Sequence, residues 1–317
     1  MKAPAFWESD NVLASMMAPL GHLYALGGRW RRQAATPWHA PVPVVCVGNL
    51  TVGGTGKTPT AIALVRRLAV SGRKPIFVSR GYRGRLNGPV RVDPRLHVAA
   101  DVGDEPLLLA ETAPTIVAKD RIAGVRAALD LGAEVIVLDD GFQDPRLAHD
   151  LALIVVDARV GFGNGRVLPA GPLREPVAEG LARADAVVAI GDGSIETSRP
   201  VWRARLVPGE ASLRFRDAKV LAFAGIGRPQ KFFATLREIG AEVIAAHSFP
   251  DHHPYDENAA AFLIEEAARL GAEPVTTRKD WVRLPVSARS MVSVVDVTLS
   301  FADEDAVMHR LGALRRG

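Results

Sequence analysis

The stretch "VPVVCVGNLTVGGTGKTPTAIALVRRL", residues 42–68, decides the fold class of this 317-residue chain. A run of β-branched residues leads into a glycine-rich loop and then into a helix-forming segment. The loop "TVGGTGKT", residues 51–58, follows the phosphate-binding pattern G-x-x-x-x-G-K-[ST], except that Thr51 takes the place of the first glycine. A strand, a glycine loop and a helix in this order predict a nucleotide-binding site at the start of the helix.

The positions of this loop have separate predicted tasks. Gly53, Gly54 and Gly56 allow successive backbone N–H groups to face a phosphate. Lys57 is expected to reach the β- and γ-phosphates of ATP, and the Thr58 hydroxyl is expected to bind Mg²⁺. The predicted ATP-binding residues are Thr51, Val52, Gly53, Gly54, Thr55, Gly56, Lys57 and Thr58.

The remainder of the chain predicts an α/β fold. Unbroken apolar runs such as "AEVIVLDDGFQD" and "DLALIVVDA" alternate with helical segments, which is typical of a parallel sheet covered on both faces. A second series of this kind begins near Lys219 and includes "MVSVVDVTLSF" as one last strand before a short C-terminal helix. We predict a P-loop NTPase-like parallel sheet flanked by helices in residues 35–207, and a smaller C-terminal α/β domain with linker strands in residues 208–317.

Residues 1–34 are predicted to form an N-terminal helix on a membrane surface. No Asp, Glu, Lys or Arg occurs from Asn11 to Gly28, and arginines follow directly. An apolar face with aromatic residues and a basic end is typical of an interfacial helix. A helix packed on the protein body and a true membrane span remain alternatives. The apolar residues at helical spacing are Leu13, Met16, Met17, Leu20, Leu23, Tyr24 and Trp30.

Composition narrows the possible partners. The net charge of +4 is carried mainly by arginine, which suits phosphates or acidic lipid headgroups. Nucleic acid is disfavoured, because zinc-finger spacing, an aromatic RNA-binding signature and a long basic run are all missing from the sequence. The single cysteine, Cys46, fits a reducing cytoplasm and a buried position in the first strand.

A second motif indicates a metal site. "VIVLDD" ends in Asp139 and Asp140, and acidic residues at the tip of a strand beside a phosphate loop are placed to bind Mg²⁺. These two motifs leave a small-molecule kinase, a GTPase-like switch and a motor or partitioning ATPase open. Motor or partitioning ATPases have a lysine at the position of Val52, so this class is disfavoured. GTPases recognise guanine with the motif [NT]KxD, and in "TRKD" Lys279 lies one position later than that motif requires, so guanine recognition is unsupported.

A kinase also needs a group that takes or steers the proton of the acceptor hydroxyl. "DVGDEP" places Asp104 and Glu105 in a predicted loop at the edge of the nucleotide domain. "FPDHHPYD" places acidic and histidine side chains in the smaller domain, namely Asp251, His252, His253 and Asp256. A carboxylate and a histidine that meet across a cleft would form an acid–base pair. A metal site or a plain surface loop are the alternatives for the second stretch.

The motifs taken together resemble one family, the tetraacyldisaccharide 4′-kinases, which are the lipid A kinases of Gram-negative bacteria. The resemblance covers nearly the whole chain in order. It is carried by the charge-free N-terminal segment, "VGNLTVGGTGKTP", "SRGYRG", "VGDEP", "LDDGFQ", "GNGRVLPAGPLREP", "AGIGRP", "FPDHHPY" and "TRKD".

The resemblance implies transfer of the ATP γ-phosphate to the 4′-hydroxyl of a tetraacylated glucosamine disaccharide 1-phosphate, which forms lipid IVA in lipopolysaccharide biosynthesis. It places the protein on the cytoplasmic face of the inner membrane, peripherally or with a partly inserted helix, and calls for no nucleic acid and no obligate protein partner. The alternative is a membrane-associated P-loop NTPase switch or chaperone that acts on a protein partner.

The resemblance also implies roles for individual residues. Asp104 is expected to act as the base, supported by His252, with Lys57 on the phosphates. The implied metal-binding residues are Thr58, Asp139, Asp140 and, as a further candidate, Glu105. The arginines expected to bind lipid or ATP phosphates are Arg80, Arg83, Arg121 and Arg174. The chain departs from the family pattern at Asp144, Pro145 and Arg228.

Overall fold

A computed structural model describes residues 4–7, 9 and 11–314, which form two β-sheets with surrounding helices. The fold is mixed α/β, as the sequence predicts. The strands of the larger sheet are β1 (Val44–Gly48), β2 (Pro75–Ser79), β3 (Val90–Arg91), β4 (Thr115–Val117), β5 (Val135–Asp139), β6 (Leu151–Asp157), β7 (Ala186–Ile190), β8 (Val201–Pro208) and β13 (Val297–Phe301).

The larger sheet has the order β13-β8-β7-β6-β1-β5-β2-β4-β3. It is parallel from β8 to β4, and the strand at each edge is antiparallel. Every residue of β1, β2, β5 and β7 is buried. These strands are continuous apolar runs because both of their faces are covered by helices.

Helices pack on both faces of the larger sheet. Val45 and Val47 point toward α2 (Lys57–Val70), α4 (Asp104–Ala110) and α11 (Glu304–Gly312). Val44 and Cys46 point toward α5 (Arg121–Asp130) and α6 (Val177–Arg183) on the opposite face. A single strand therefore contributes to two cores, as the alternation of side chains in a strand requires. The helices of this unit are α2 (Lys57–Val70), α3 (Ala99–Val102), α4 (Asp104–Ala110), α5 (Arg121–Asp130), α6 (Val177–Arg183) and α11 (Glu304–Gly312).

The smaller sheet is parallel and has the order β10-β9-β11-β12. Its strands are β9 (Lys219–Ala224), β10 (Glu242–Ser248), β11 (Glu273–Thr277) and β12 (Ser293–Val295). Its helices are α7 (Pro229–Ile239), α8 (Glu257–Arg269), α9 (Arg278–Trp281) and α10 (Val286–Arg289). Val220 and Ala222 pack toward α7, and Leu221 and Phe223 pack toward α8.

The C-terminal part of the chain differs from the predicted smaller domain of residues 208–317, because its last strand and helix belong to the larger unit. The stretch predicted as one strand divides at Asp296 into β12 and β13, which lie in different sheets. The Asp296 carbonyl accepts a hydrogen bond from the Gly209 amide, and its carboxylate is bound by Arg278, so the chain is held at this turn. β13 and α11 consequently belong to the larger sheet, where apolar side chains of α11 join its core.

The N-terminal helix α1 (Val12–Gln33) has its large apolar side chains on the outside. Its buried side consists of Ala14, Gly21 and Ala25, and a Cβ on Gly21 would lie 2.8 Å from the Val167 carbonyl oxygen. No helix within the described ranges is both long and apolar enough to cross a membrane. The exposed large apolar residues of α1 are Val12, Leu13, Met16, Leu20, Leu23, Tyr24, Leu26 and Trp30.

Arginines at the basic end of α1 contact acidic residues of the protein body. Arg29 Nε and Arg32 Nη2 each donate a hydrogen bond of 2.6 Å to Glu179. Arg32 also lies 3.4 Å from the buried carboxylate of Glu175. Two of the three arginines therefore anchor the helix to the protein body, and the exposed Arg31 donates a hydrogen bond of 3.4 Å to the Gln143 carbonyl.

Candidate active site

The phosphate loop connects β1 to α2 at the centre of the larger sheet. Gly53 and Gly56 have φ angles of 112° and 96°, which glycine adopts far more readily than other residues. A Cβ on Gly56 would lie 2.5 Å from Ile190 Cδ1 at the end of β7. Thr51 forms an isolated β-bridge with Leu173, an extended conformation that suits a β-branched residue, so glycine is not needed at this position.

Asp139 ends the neighbouring strand β5, opposite the start of α2. The Thr58 hydroxyl donates a hydrogen bond of 3.4 Å to Asp139 Oδ2. Asp139 Oδ1 is buried and has no hydrogen-bond partner among the described residues. Burial raises the pKa of Asp139, and the nearby negative charge of Glu105 raises it further. A hydroxyl beside a carboxylate with a free oxygen fits Mg²⁺, which takes few protein ligands and fills its shell with phosphate and water.

Asp140, also predicted at the metal, is turned toward cations instead. Lys57 Nζ lies 3.7 Å from Asp140 Oδ2, and Arg174 Nη1 lies 3.1 and 3.2 Å from its two oxygens. Burial alone would raise the pKa of Asp140, but the charges of Lys57, Arg174 and Arg121 lower it. Asp140 has a φ of 59°, so the backbone itself turns its side chain away from the direction taken by Asp139.

Glu105, the further metal candidate, accepts a hydrogen bond of 3.1 Å from Lys279 Nζ. In the described part of the chain, no three His, Cys, Asp or Glu side chains converge on one metal position. The structure thus brings Thr58 into hydrogen-bond contact with Asp139. Asp140 and Glu105 are charged neighbours of Asp139, but their described contacts are with Lys57, Arg174 and Lys279.

The predicted acid–base pair is brought together by the two sheets. Asp104 is the first residue of α4, where the sequence predicted a loop, and its side chain is only 5% exposed. His252 Nδ1, from the turn after β10, lies 2.8 Å from Asp104 Oδ2. His252 has a φ of 60°, an uncommon backbone conformation for this residue type. Such conformations are often retained where a side chain must be aimed at a partner.

The Asp104 carboxylate is held ionised. Burial alone would raise the pKa of Asp104, but the hydrogen bond with His252 and the charges of Lys279, His252 and Arg283 together lower it to about 2. Lys279 also lowers the pKa of Asp139. The charge of Lys279 therefore acts on both carboxylates.

The predicted phosphate-binding arginines occupy different surroundings. Arg80 and Arg83 are exposed, and the Arg83 guanidinium lies 5.7 Å from the ring centre of Tyr82. Arg121 is buried and contacts the Asp140 carbonyl and, at 3.3 Å, the Asp144 carboxylate. Arg174 is paired with Asp140, as described above. Phosphate binding by Arg80, Arg83, Arg121 and Arg174 stays a prediction, and the last two are engaged by protein oxygens in this structure.

Sequence reasoning missed Lys279 and Arg283 at this site. Lys279 was considered only as a guanine-recognition residue, and Arg283 was not singled out. Both side chains reach Asp104, at 4.0 Å from Lys279 Nζ and 3.3 Å from Arg283 Nε. No helix pattern marked Arg283, because α9 (Arg278–Trp281) ends two residues before it and Arg283 lies in the turn that follows.

Comparison with known proteins gives one consistent result. The family model described as tetraacyldisaccharide-1-P 4′-kinase matches residues 13–315. The tetraacyldisaccharide 4′-kinase of Rhodospirillum centenum is 51% identical, with 100% of this chain and 98% of that protein covered. The protein of the same description from Methylorubrum extorquens strain PA1 is 52% identical, with 99% of this chain and 98% of that protein covered.

A solved structure agrees with the fold. The crystal structure of the "apo" form of LpxK from Aquifex aeolicus in complex with ATP superposes with a TM-score of 0.78 at 27% sequence identity. The match covers 95% of this chain and 99% of that chain, so both sheets are included in the comparison.

Proposed function

This chain belongs to the tetraacyldisaccharide-1-P 4′-kinase family, and we propose that Asp104 receives the proton of the acceptor hydroxyl during phosphate transfer from ATP. The chain is an ATP-dependent tetraacyldisaccharide 4′-kinase of lipid A biosynthesis. The observation that carries the proposed role is the contact of 2.8 Å between Asp104 at the start of α4 and His252 in the turn after β10, which joins the larger unit to the smaller one.

The larger unit is proposed to bind ATP as P-loop NTPases do. A central parallel strand, a loop with two glycines at positive φ and a helix that starts at Lys57 support this assignment. The N–H groups of the loop and the start of α2 would bind the phosphates. Lys57 would move from Asp140 toward the β- and γ-phosphates, since its distance of 3.7 Å from Asp140 leaves a weak contact to exchange.

Thr58 and Asp139 are proposed to hold Mg²⁺. When bound there, the ion would neutralise charge on the β- and γ-phosphates. Asp139 contributes a buried Oδ1 that has no hydrogen-bond partner in the described part of the chain, and the Thr58 hydroxyl contacts the other oxygen, Oδ2. Asp140 is proposed to orient the side chains of Lys57 and Arg174 and not to bind the metal directly.

The acceptor hydroxyl is proposed to approach Asp104. A carboxylate with a pKa of about 2 is ionised throughout the neutral range, so it can always accept a hydrogen bond from the 4′-hydroxyl. Phosphoryl transfer depends more on positioning than on a strong base, so a low pKa is compatible with this role. His252 would steady the carboxylate and share the proton that arrives.

The exposed arginines are proposed to bind phosphate groups. Arg80 and Arg83 lie on the segment after β2, and neither guanidinium is engaged by a carboxylate in the contacts described for it. Arg174 is proposed to exchange Asp140 for a phosphate of ATP or of the lipid. Planar guanidinium groups suit the paired oxygens of these phosphates.

The substrate is proposed to be reached at the cytoplasmic face of the inner membrane. The acceptor carries several acyl chains, and the outer side of α1 exposes a continuous apolar stripe that includes Met16, Leu20 and Leu23. An interfacial helix of this kind would place the cleft next to lipid headgroups. Membrane contact would come from apolar side chains more than from charge, because Arg29 and Arg32 are already paired with glutamates.

A partner-responsive switch is not favoured, because relatives that match this chain over its full length are kinases. The experiment that tests the proposed role supplies γ-labelled ATP, Mg²⁺ and the tetraacyldisaccharide 1-phosphate in detergent micelles, and follows the label into lipid by thin-layer chromatography. Asp104→Asn is expected to slow transfer by about 10²–10⁴-fold. Asp101→Asn, which alters a buried carboxylate bound by Arg85 one turn away, is the matched control. Equal rates for the two variants would refute the role of Asp104.

A further inference from the structure

Arg283 joins the loops that follow three strands of the smaller sheet. Its side chain is 5% exposed. Nη1 donates to the carbonyls of Gly225 and His253, at 3.0 and 3.3 Å, and Nε donates to the Lys279 carbonyl at 2.9 Å. These carbonyls belong to the segments after β9, β10 and β11. One guanidinium therefore links the three loops at the carboxyl edge of this sheet.

The same guanidinium reaches across to the larger sheet. Arg283 Nε lies 3.3 Å from Asp104 Oδ2, the oxygen that also contacts His252. Arg283 Nη2 is buried without a hydrogen bond among the described residues and lies 3.4 Å from Asp280 Oδ1. A buried guanidinium is costly unless carboxylates compensate its charge, and here two carboxylates from different sheets do so.

Asp280 holds the same region from the other side. It is fully buried, and its Oδ1 accepts hydrogen bonds from the Gly225 amide at 2.7 Å and from the Tyr255 hydroxyl at 2.9 Å. The position of Arg283 is thus determined by a rigid buried partner as well as by three carbonyls. Such a network restricts the guanidinium to one place.

The network continues directly to His252. The Gly225 carbonyl that accepts from Arg283 Nη1 also accepts a hydrogen bond of 3.0 Å from the His252 amide. His252 follows an uncommon backbone path, with a φ of 60°, that this hydrogen bond helps to retain. A shift of the Gly225 carbonyl would therefore move the imidazole relative to Asp104.

We propose that Arg283 is a positioning residue for phosphate transfer. Its guanidinium binds both the Gly225 carbonyl and the Asp104 carboxylate, and thereby fixes the position of His252 relative to Asp104. The inference rests on the proposed role of Asp104. Arg283 acts through the acid–base pair, and the phosphate loop lies on the other sheet. Its loss is therefore expected to lower kcat and to leave the KM for ATP unchanged.

A lysine at this position cannot replace the guanidinium. An ammonium group retains the charge but is a point donor without the planar fork that reaches two carbonyls and a carboxylate together. Arg283→Lys is therefore expected to lower kcat about 100-fold, the effect of a misplacement of about 1 Å at a reacting centre. Arg283→Met removes the charge as well and is expected to lower kcat at least as far.

The matched control is Arg289→Lys. Arg289 also donates to main-chain carbonyls of the smaller unit, those of Leu284 and Val282, at 3.1 and 2.8 Å, and it makes no described contact with Asp104. Lipid phosphorylation is measured with labelled ATP for each variant, together with the KM for ATP and the midpoint of thermal unfolding. The control is expected to retain the wild-type kcat.

A double-mutant cycle separates the inference from the proposed function. In an Asp104→Asn background, Arg283→Lys is expected to cause no further loss of kcat, because its effect passes through that carboxylate. A full 100-fold loss in that background, or a single Arg283→Lys variant that loses only thermal stability, would overturn the positioning role. An Asp104→Asn enzyme with wild-type kcat would instead overturn the role of Asp104 and, with it, the route assigned to Arg283.

Discussion

The apolar stripe of α1 allows a quantitative test of membrane contact. The perturbation is the triple substitution Met16→Gln, Leu20→Gln and Leu23→Gln. Glutamine forms helix about as well as leucine and methionine do, so the helix itself is expected to persist. The three side chains are 74%, 53% and 65% exposed, and the buried side of α1 is formed by other residues. Protein stability is therefore expected to change little while membrane binding is lost.

The magnitude follows from the exposed fractions. Together the three side chains expose the equivalent of about two complete apolar side chains, and complete burial of one is worth about 1.5–3 kcal/mol. The lower value applies at an interface, where burial is incomplete, which leaves about 3 kcal/mol for the triple variant. At about 1.4 kcal/mol for each tenfold change, binding to vesicles is expected to weaken about 100-fold.

The assay is sedimentation with vesicles of phosphatidylethanolamine and phosphatidylglycerol, with thermal unfolding measured in parallel. The control variant changes three comparably exposed apolar residues outside α1, Val70→Gln, Leu96→Gln and Val286→Gln. It is expected to bind vesicles as the wild type does. Equal binding by wild type and the α1 variant, with both folded, would refute the interfacial role of this helix.

Three other substitutions test the phosphate loop and the two carboxylates of the candidate active site. Burial raises the pKa of Asp139, so Mg²⁺ must displace a proton from this carboxyl group at lower pH. The Mg²⁺ affinity of the wild type, measured by calorimetry, is therefore expected to rise with pH. Asp139→Asn is expected to remove this pH dependence. Gly56→Ala is expected to lower the free energy of unfolding by about 1–2 kcal/mol and to weaken ATP binding, because φ is 96° and the new methyl group would meet Ile190. Asp104→Asn is expected to lower the free energy of unfolding at pH 7 by about 2 kcal/mol, since the pKa of Asp104 is about 2 in the folded protein. A depressed carboxyl pKa stabilises the fold above pH ~4 and ceases to do so as pH falls through ~2, so the difference from wild type is expected to shrink in acid.

Each of these predictions has a direct control. Gly54→Ala, in the same loop, adds a methyl group with no atom within 4 Å and is expected to be nearly neutral by urea unfolding. Equal losses at Gly54 and Gly56 would contradict the steric argument. A wild-type Mg²⁺ affinity that is constant with pH would contradict the raised pKa of Asp139. An Asp104→Asn difference that grows in acid would contradict the sign derived for Asp104.

Local features of the fold were predictable because neighbouring residues cause them. Strand β5 ends at Asp139, as its apolar run predicted, and the glycine-rich loop connects a strand to a helix, as its flanking residues predicted. The phosphate loop was recognisable from its glycines alone. The loop predicted around Asp104 is in fact the start of α4, which lacks a side-chain cap that could have marked it.

Contacts between distant residues were not predictable in the same way. Asp104 and His252 lie 148 residues apart in sequence, and Arg283 joins them only because three loops of the smaller sheet meet at one edge. The pairing of Arg29 and Arg32 with Glu179 likewise depends on where α1 docks. The sequence pattern predicted these arginines as the basic end of an interfacial helix, and in the folded chain they form ion pairs that attach α1 to the protein body.

The sequence by itself determined the phosphate-binding loop, the alternation of buried strands with helices and the motifs that carry family membership, because each depends on residues close together in the chain. Only the tertiary structure decided the surroundings of each carboxylate. Asp139 has a buried oxygen without a partner among the described residues, and Asp104 contacts His252. Asp140 is paired with Arg174, and Glu105 is paired with Lys279. Charge, burial and distance act through space, so the chemistry of Asp104, Asp139 and Asp140 differs although all three are the same residue type.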